Sequence, residues 1–426
     1  MKAYFYALLA RYISLFARPG DSVVSLDPPS QDFNVHMPQC RTLSLTEATA
    51  QPLAIDFFLL NGTLHYESDI QDYLTRLRAC MNDQARLIVV YYSSLWRPLL
   101  GLATRLGLRT KTFEWNWLSH EDVANFLRLA DMEVVRREPK VLLPIYIPLL
   151  SGIVNRYLAP LPVLSSLCIA NVMVARPVPA ATKRGNPMSA SVIVPARNEG
   201  GNIEAIVNRL PTMGPHDELI FIEGGSKDDT WQRIQDAQTR YASAKSIVIA
   251  QQDGKGKGDA VRKGFGLARN EILMILDADL TVPPEDLPKF YAAIVSGKGE
   301  FINGSRLVYP MEKRAMRFLN LVANKFFAVA FSFVLGQRFK DTLCGTKVIS
   351  RDNYQRLSKN RSYFGEFDPF GDFDLIFGAA RMGLRIVEVP ITYRERTYGE
   401  TNISRWRHGV LLIAMLGFAA RRLKFI

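Results

Sequence analysis

The sequence predicts an α/β protein with two domains, each built around a mostly parallel sheet. At 426 residues the chain is too long for one ordinary core. Strand and helix patterns alternate along both halves, as they do in βαβ units. Residues 179–188 are polar and proline-bounded, which is typical of a linker between the halves. The apolar run ILMILDADL, residues 272–280, ends abruptly on two carboxylates, which is typical of a buried parallel strand that reaches a ligand site.

Composition narrows the class of protein and the kind of partner. Hydrophobic residues at 48% and charged residues at 22% indicate a folded globular chain. The net charge of +12 favours an anionic partner, and charge alone does not choose between nucleic acid, phosphorylated small molecules and an anionic membrane surface. The four cysteines form no C-x-x-C pair, so we expect neither a zinc site nor a disulfide framework, and a reducing cytoplasm fits.

Residues 1–178 form the first predicted domain. Its stretch 158–175 is uncharged for 18 residues and reaches the length of a membrane span. Pro160, Pro162 and Asn171 within that stretch favour instead a helix followed by a strand. The other predicted elements are helices at 3–17 and 70–80, and strands at 21–26, 54–60 and 86–92.

Residues 189–404 form the second predicted domain, and its strands and helices again alternate. The predicted strands are 191–195, 218–223, 245–250, 272–277, 301–305, 346–350 and 385–393. The predicted helices lie near 202–209, 229–241, 258–269, 285–296 and 373–382.

Residues 405–426 form a basic apolar segment after the second domain. They carry five Lys or Arg residues, no acid, and an uncharged core of 12 residues that is too short to span a bilayer. Such a segment is suited to lie in the membrane interface, with its basic flanks on anionic headgroups. Residues 326–335 offer a second apolar surface. The alternative for both is packing against the first domain.

Asp277 and Asp279 are the central candidate residues, and Ala278 separates them. Two hard oxygen ligands at the carboxyl end of a strand suit Mg²⁺ or Mn²⁺ that holds a diphosphate. For an isolated Asp-Ala-Asp the plainer interpretation is the end of a strand and a helix cap.

Three further motifs occur in order before this one: SVIVPARNEGGNI from residue 191, LIFIEGGSKDDT from residue 219, and GKGKG at residues 254–258. Together with Asp-Ala-Asp they resemble glycosyltransferase family 2, and within it the polyprenyl-phosphate sugar transferases, such as the dolichyl-phosphate mannose synthases. The resemblance covers about residues 189–425 and implies a GT-A fold, a nucleotide-sugar donor and a divalent metal.

The resemblance also implies which residues hold the nucleotide. In this family the second strand usually ends in two aspartates, whereas Glu223 is followed here by Gly224 and retains only one carboxylate. Glu199 alone would also suit the first turn of a helix, where an acid complements the helix dipole. The implied nucleotide-binding residues are Pro195, Ala196, Arg197, Glu199, Glu223, Lys257, Asp259 and Ala278.

Arginines and carboxylates later in the chain resemble the phosphate and acceptor side of the family site. Arg306 and Arg396 are implied to meet phosphate oxygens, which arginine can hold with two parallel hydrogen bonds. Asp372 and Asp374 are candidate acceptor-side residues. On a helix they lie about 200° apart, so only one of them faces the pocket.

The first domain resembles the C-terminal half of a class I S-adenosylmethionine-dependent methyltransferase, in residues 59–96 and 116–138. That family needs a glycine-rich turn after its first strand. Here Pro28 and Pro29 follow the predicted first strand, and they fix φ and remove two backbone donors. We therefore expect a truncated, Rossmann-like relic that does not bind S-adenosylmethionine and serves in scaffolding or docking.

These observations predict an inverting glycosyltransferase of family 2. It is expected to move a sugar from a UDP- or GDP-sugar onto a polyprenyl phosphate, for the synthesis of a cell-envelope glycan. We expect a peripheral protein on the cytoplasmic face of an anionic membrane. No nucleic acid partner is expected. The alternatives are a saccharide or other hydroxyl as acceptor, a bifunctional methyltransferase and glycosyltransferase, and an inactive membrane-docked scaffold.

Overall fold

The computed structural model describes residues 2–50, 54–106, 116–179, 188–308, 318–359, 373–394, 396, 398 and 405–426, without the side chains of 103, 318–321 and 405–408. The chain divides into two compact units. The first unit comprises Met1–Pro179 and Ala420–Ile426, and the second comprises Ala180–Ala419. The predicted linker lies mostly outside the described residues.

The first unit is built on a six-stranded sheet with helices around it. Its strand order is β2-β1-β3-β4-β6-β5, in which β6 is antiparallel to both neighbours and the other pairs are parallel. The strands are β1 Val23–Leu26, β2 Cys40–Leu43, β3 Phe57–Asn61, β4 Arg86–Tyr92, β5 Met132–Lys140 and β6 Ala170–Pro177. The α-helices are α1 Lys2–Ile13, α2 Leu45–Ala50, α3 Ile70–Cys80, α4 Arg97–Arg105, α5 His120–Leu129 and α6 Leu150–Ile153.

The second unit is built on a seven-stranded sheet of order β13-β11-β12-β10-β7-β8-β9. Only β12 is antiparallel to its neighbours among the described strands. The strands are β7 Ala190–Ala196, β8 Glu218–Glu223, β9 Ser246–Gln251, β10 Ile272–Ile275, β11 Phe301–Ser305, β12 Lys347–Ser350 and β13 Ile386–Pro390. The α-helices are α7 Ile203–Arg209, α8 Thr230–Arg240, α9 Gly256–Leu267, α10 Leu287–Val295, α11 Phe318–Leu335, α12 Arg351–Ser358, α13 Phe373–Arg381 and α14 Arg405–Ala419.

The predicted α/β class is confirmed, and both sheets are mostly parallel. The central strands β7 and β10 are apolar on both faces because helices cover the sheet, and their aliphatic side chains are buried. Sequence analysis missed β2, β5, α2, α4, α5 and α6 in the first unit and α11 and α12 in the second. The apolar stretch 158–175 ends in strand β6, in agreement with the predicted helix-then-strand. All four cysteines are free.

Residues 405–426, predicted as one separate segment, are divided between the units. Helix α14 belongs to the second unit, and residues 420–426 belong to the first. The reason is burial, because Leu423 and Lys424 are both enclosed within the first unit.

Lys424 takes part in a buried charge cluster. Its Nζ lies 2.8 and 2.9 Å from the two carboxylate oxygens of Glu138, which also accepts a 3.0 Å hydrogen bond from Arg136. Lys140 lies 3.8 Å from the same carboxylate. Burial alone raises the pKa of Glu138, but the three cations outweigh burial and lower that pKa to about 2. Glu138 therefore stays ionised and holds residues 420–426 in the unit.

We expect Glu138→Gln to lower the free energy of unfolding of the full chain by about 3 kcal/mol or more, because three buried cations then lose their carboxylate. Urea denaturation measures the change. Glu121→Gln is the control, since that side chain is 72% exposed. Equal unfolding free energies for the two variants would contradict the role of the cluster.

The turn after β1 is closed by its own side chains. Asp27, at φ 42°, accepts hydrogen bonds from the Leu45 amide and the Tyr73 hydroxyl, each 2.9 Å long. Pro29 packs beside Gly62 at the end of β3, so that a Cβ on Gly62 would lie 3.5 Å from the proline ring and 3.8 Å from the Tyr92 hydroxyl. Pro29 and Tyr92 thus pack beside the end of β3, at the edge of the sheet where a nucleotide-like cofactor would lie.

We predict that the purified protein does not bind S-adenosylmethionine, because Pro28 and Pro29 stand where the cofactor needs a glycine-rich turn. Isothermal calorimetry should give no heat of binding. Binding with a micromolar dissociation constant would show that the first unit keeps a working cofactor site.

Candidate active site

The candidate site lies at the carboxyl ends of β7, β8 and β10, which run parallel as neighbours. Parallel neighbours end at the same edge of the sheet, so the loops that follow them converge there. Those loops carry the predicted motifs around Glu199, Glu223 and Asp279.

One arginine joins two of these loops. Arg396 donates from Nη1 to Oε1 of Glu199 at 3.0 Å, and from Nη2 to Oδ2 of Asp279 at 2.7 Å. The three residues come from distant segments of the chain. Arg396 is 197 positions from Glu199 and 117 positions from Asp279. Their side chains are 8%, 17% and 27% exposed for Glu199, Asp279 and Arg396, so water screens these ion pairs only in part.

Asp279 is also held by its own turn. Its Oδ1 accepts hydrogen bonds from the backbone amide of Thr281 at 3.1 Å and from the Thr281 hydroxyl at 2.8 Å. This local turn places Leu280 at φ 54°. An aspartate side chain that bonds the backbone two residues on is favoured in such turns. The carboxylate is therefore fixed before any ligand binds.

Asp277 pairs with a different cation. Lys257, in the first turn of α9, places its Nζ 2.5 Å from Oδ1 of Asp277. Gly345 packs so closely on this pair that a Cβ there would lie 2.0 Å from Oδ2 of Asp277 and 2.4 Å from the Lys257 Nζ. A larger residue here would displace the ion pair, and glycine lets the DTLCGTK loop, residues 341–347, approach Asp277 and Lys257 closely.

Glu199 lies in an unusual environment for a carboxylate. Its Oε2 accepts a 2.8 Å hydrogen bond from Asn202, and the residue is 6% exposed. Burial raises the pKa of Glu199 to about 7, although Arg396 acts in the opposite direction, and the charge of Asp279 adds to the rise. Buried carboxyl groups with such raised pKa values concentrate at functional sites.

The segment after β13 returns over the site. The Arg394 amide donates to the Thr281 carbonyl at 3.0 Å, which continues the contact made by Arg396. Tyr398 lies over Gly201, so that a Cβ on Gly201 would be 2.6 Å from its ring. The described residues of the segment after β13 therefore contact both the loop that carries Glu199 and the Asp-Ala-Asp turn.

The other predicted nucleotide-side residues are dispersed around this cluster. Pro195 and Ala196 end strand β7, Arg197 is exposed just beyond them, and Ala278 is buried between the two aspartates.

The two remaining carboxylates each order a turn. Glu223 accepts hydrogen bonds from the Ser226 amide and from the Gln251 side chain, and so stabilises the turn after β8. Asp259 accepts from the Gly254 amide at 2.8 Å and orders the Gly/Lys loop.

Arg306 is not brought to the cluster by the contacts that the structure shows. Its guanidinium makes two parallel hydrogen bonds to Asp341, at 2.7 and 2.9 Å, and stacks over Tyr393 at 5.2 Å. Because Asp341 is fully buried, its pair with Arg306 fixes the start of the DTLCGTK loop. Asp374 is buried in the first turn of α13. Asp372 lies outside the described residues.

Sequence reasoning missed Tyr398, Asp341 and Gly345 as individual contributors. They lie in the stretches 341–347 and 394–400, and only the fold shows that Asp341 pairs with Arg306, Gly345 contacts Asp277, and Tyr398 contacts Gly201. The glycine at 345 was the available signal, since a glycine between Cys344 and Thr346 in a loop suggests close backbone approach.

Comparison with protein families matches the model of glycosyl transferase family 2 to residues 191–358. This segment contains Glu199, Lys257 and both aspartates of the cluster. Residues 191–358 are a glycosyl transferase family 2 domain. The predicted family is thereby confirmed, and the chain carries a glycosyltransferase domain.

Several curated proteins are similar to the glycosyl transferase part of the chain. A dolichol-phosphate mannosyltransferase from Pyrococcus furiosus is 28% identical over 222 residues, which are 51% of this chain and 59% of that protein. An undecaprenyl-phosphate mannosyltransferase from Micrococcus luteus is 28% identical over 248 residues, 55% of this chain and 96% of that protein.

Among solved structures, a glucosyl-3-phosphoglycerate synthase from Mycobacterium tuberculosis aligns with a TM-score of 0.40 at 22% identity. The alignment covers 57% of this chain and 81% of that one. That crystal structure contains Mn²⁺, UDP and glucosyl-3-phosphoglycerate.

The raised pKa of Glu199 gives a testable pH dependence. Because the folded state holds this proton more tightly than the unfolded chain, its contribution to stability is lost as pH rises from about 4.5 to about 7. Relative to Glu199→Gln, the wild-type free energy of unfolding should fall by roughly 3 kcal/mol across that window. Urea denaturation at about pH 5 and about pH 8 measures it. Parallel pH profiles for the two proteins would contradict the assignment.

Proposed function

We propose that this protein transfers a sugar, with inversion, from a nucleotide-diphosphate sugar to a polyprenyl phosphate. The observation that carries the proposal is the convergence of Arg396, Glu199 and Asp279, next to the Asp277 and Lys257 pair, within a glycosyl transferase family 2 domain. The names of the relatives from Pyrococcus furiosus and Micrococcus luteus support a polyprenyl phosphate as the acceptor class.

The chemistry of the donor set fits a hard divalent cation. Among the described residues no group of three or more His, Cys, Asp or Glu side chains is arranged to hold a metal. Mg²⁺ is commonly bound by only one or two carboxylates together with substrate phosphate oxygens. Asp277 and Asp279 would hold Mg²⁺ or Mn²⁺ in this way, and the ion would neutralise charge on the leaving diphosphate.

The cations of the site suit the same task. Arg396 and Lys257 already lie against the two aspartates, within reach of any diphosphate that these carboxylates hold through a metal. Groups placed in advance around developing negative charge stabilise the transition state without reorganisation. Arg306 is a positioning residue in this proposal, because its guanidinium is engaged by Asp341 and fixes the loop that carries Gly345.

In the reaction, an acceptor oxygen forms a bond to the anomeric carbon while that carbon's bond to the nucleoside diphosphate breaks. A phosphate acceptor is anionic near neutral pH, so no protein base needs to remove a proton. A hydroxyl acceptor requires a base, and Asp374 is then the candidate within the described residues.

The second unit also presents an apolar surface that suits a lipid-linked acceptor. Helices α11 and α14 pack together, and exposed apolar side chains lie on both: Val322, Phe326, Val329, Val410 and Ile413. Such a surface favours peripheral contact with a membrane, which we propose to be its cytoplasmic leaflet. None of the helices in the described ranges has the length and apolarity needed to cross a bilayer.

The direct test is a donor screen. The full chain is incubated with UDP- and GDP-sugars, Mg²⁺ or Mn²⁺, and a polyprenyl phosphate in detergent, and lipid-linked sugar is detected by mass spectrometry. Product with one donor class establishes both donor and acceptor. Failure with every donor would favour the inactive scaffold, whereas transfer onto a saccharide alone would move the acceptor to a hydroxyl.

We expect Asp279→Asn to lower sugar transfer by about a hundredfold or more, because the leaving diphosphate loses a charged metal ligand. An amide can still accept from Thr281, so the local turn and the melting temperature should change little. The measurements are transfer rates with metal titrated in, and thermal melts. A folded variant with the wild-type rate and metal dependence would show that Asp279 only stabilises the turn.

Two comparison variants separate metal binding from the ion pair. Arg396→Gln also breaks the pair with Asp279 but keeps both carboxylates, so it should not raise the Mn²⁺ concentration for half-maximal thermal stabilisation in the absence of nucleotide. Asp279→Asn should raise it. Asp253→Asn is the neutral control, since its carboxylate is 83% exposed and pairs with Lys263.

A further inference from the structure

The first unit exposes a broad apolar surface at one edge of its sheet. Two segments form it: residues 94–106, which follow β4, and residues 145–167, which connect β5 to β6. We call these two segments the apical surface. Six of its exposed apolar side chains are Leu99, Leu102, Leu106, Leu149, Ile153 and Val163.

The two segments lie side by side. Tyr92 at the end of β4 and Lys140 at the end of β5 both pair with Ala170 at the start of β6, which places both segments at the carboxyl edge of β4 and β5. The indole N–H of Trp96 donates to the Leu167 carbonyl at 2.9 Å, and so links them directly. The exposed Leu99 and Leu102 share one face of α4, and the exposed Leu106 follows directly after the helix. The two segments of the apical surface are therefore neighbours at one edge of the sheet.

Two similar turns project its most exposed side chains. In Pro148-Leu149-Leu150 the Leu150 amide donates to the Pro148 carbonyl at 2.7 Å, and in Pro162-Val163-Leu164 the Leu164 amide donates to the Pro162 carbonyl at 2.9 Å. The central residues have φ values of 65° and 69°, with ψ values of −49° and −57°. Both are γ-turns of the strained, positive-φ form.

The residues at these turns are unexpected for a solvated loop. A strained turn at a surface is usually occupied by glycine or asparagine, and a β-branched residue with positive φ is an outlier. Here Leu149 is 88% exposed and Val163 is 80% exposed. Strain of this kind is retained at sites of ligand contact more often than elsewhere. The two turns thus present apolar side chains outward at a cost that solvent exposure does not offset.

The charges and aromatic residues around the turns identify the partner. Neither segment contains an acidic residue, whereas Arg97, Arg105 and Arg156 provide positive charge. Trp96, Tyr146 and Tyr157 add amphipathic aromatic rings, which are enriched at membrane interfaces. An apolar surface bordered by arginines and lacking acids matches the interface of a bilayer that contains anionic lipids.

We propose that the apical surface is a membrane-docking site, with Leu149 and Val163 inserted between the headgroups of an anionic bilayer. The first unit then acts as a membrane-binding module, independently of whether the second unit transfers sugar to a lipid. A second copy of this chain fits less well, because a two-fold contact would bring the same arginines of both copies together without an opposing acid.

The test uses the full chain and sedimentation with vesicles of phosphatidylglycerol and phosphatidylcholine that contain no polyprenyl phosphate. The double variant Leu149→Asp, Val163→Asp should bind these vesicles at least about tenfold more weakly than the wild type. Leu129→Asp is the matched control. Leu129 is 59% exposed but ends α5 just before Met132, which pairs with Pro177 at the opposite edge of the sheet.

Wild-type sedimentation that falls in the double variant and persists in the Leu129 control supports the proposal. Equal binding of all three proteins, or no binding by the wild type, overturns it. Light scattering identifies the competing partner: if the double variant loses a dimer while its vesicle binding is unchanged, the surface pairs two copies and the proposal is wrong. Thermal melts show that each variant is folded, and the result does not depend on detection of sugar transfer.

Discussion

The paired contact of Arg396 with Glu199 and Asp279 holds the candidate active site together. Each carboxylate comes from a loop at the end of a different strand, and loops at a sheet edge do not fix one another unless a side chain crosses between them. A planar guanidinium is suited to this because it directs separate donors to two acceptors. The same arginine lies where a charged ligand would bind. Its guanidinium therefore orders the two loops and would also bind phosphate.

Sequence patterns predicted much of the second unit. The bounds of β8 and β11 follow from short apolar runs whose ends are marked by charged or polar residues, and such local signals survive folding. Strand β2 has only one buried residue, Cys40, and therefore no apolar run by which to recognise it. Arg306 shows the other limit: its partner Asp341 is 35 residues away, and no local pattern indicates that the two meet. The position of Asp277 and Asp279 just after β10 was predictable because the apolar run stops there, whereas their role as metal ligands stays a prediction.

The first unit combines two features that a folded domain rarely needs for stability alone. Its interior holds Glu138 among three cations, although replacing buried ionic clusters by apolar side chains is often neutral or stabilising. Its apical surface exposes leucine and valine in strained turns. The first feature attaches residues 420–426 to the unit, and the second presents apolar groups outward. Together these features agree with a unit that serves to dock the protein onto a membrane.

The division of the first unit into Met1–Pro179 and Ala420–Ile426 has a consequence for synthesis on the ribosome. Domains generally fold in the order in which they are translated. Here Arg136, Glu138 and Lys140 are translated long before Lys424, which follows the entire second unit. The nascent first unit must therefore wait with an incomplete interior while the second unit emerges and folds. A chaperone that shields exposed apolar surface would therefore have the most time to act on this unit. The first unit completes its interior only after the whole second unit has been translated.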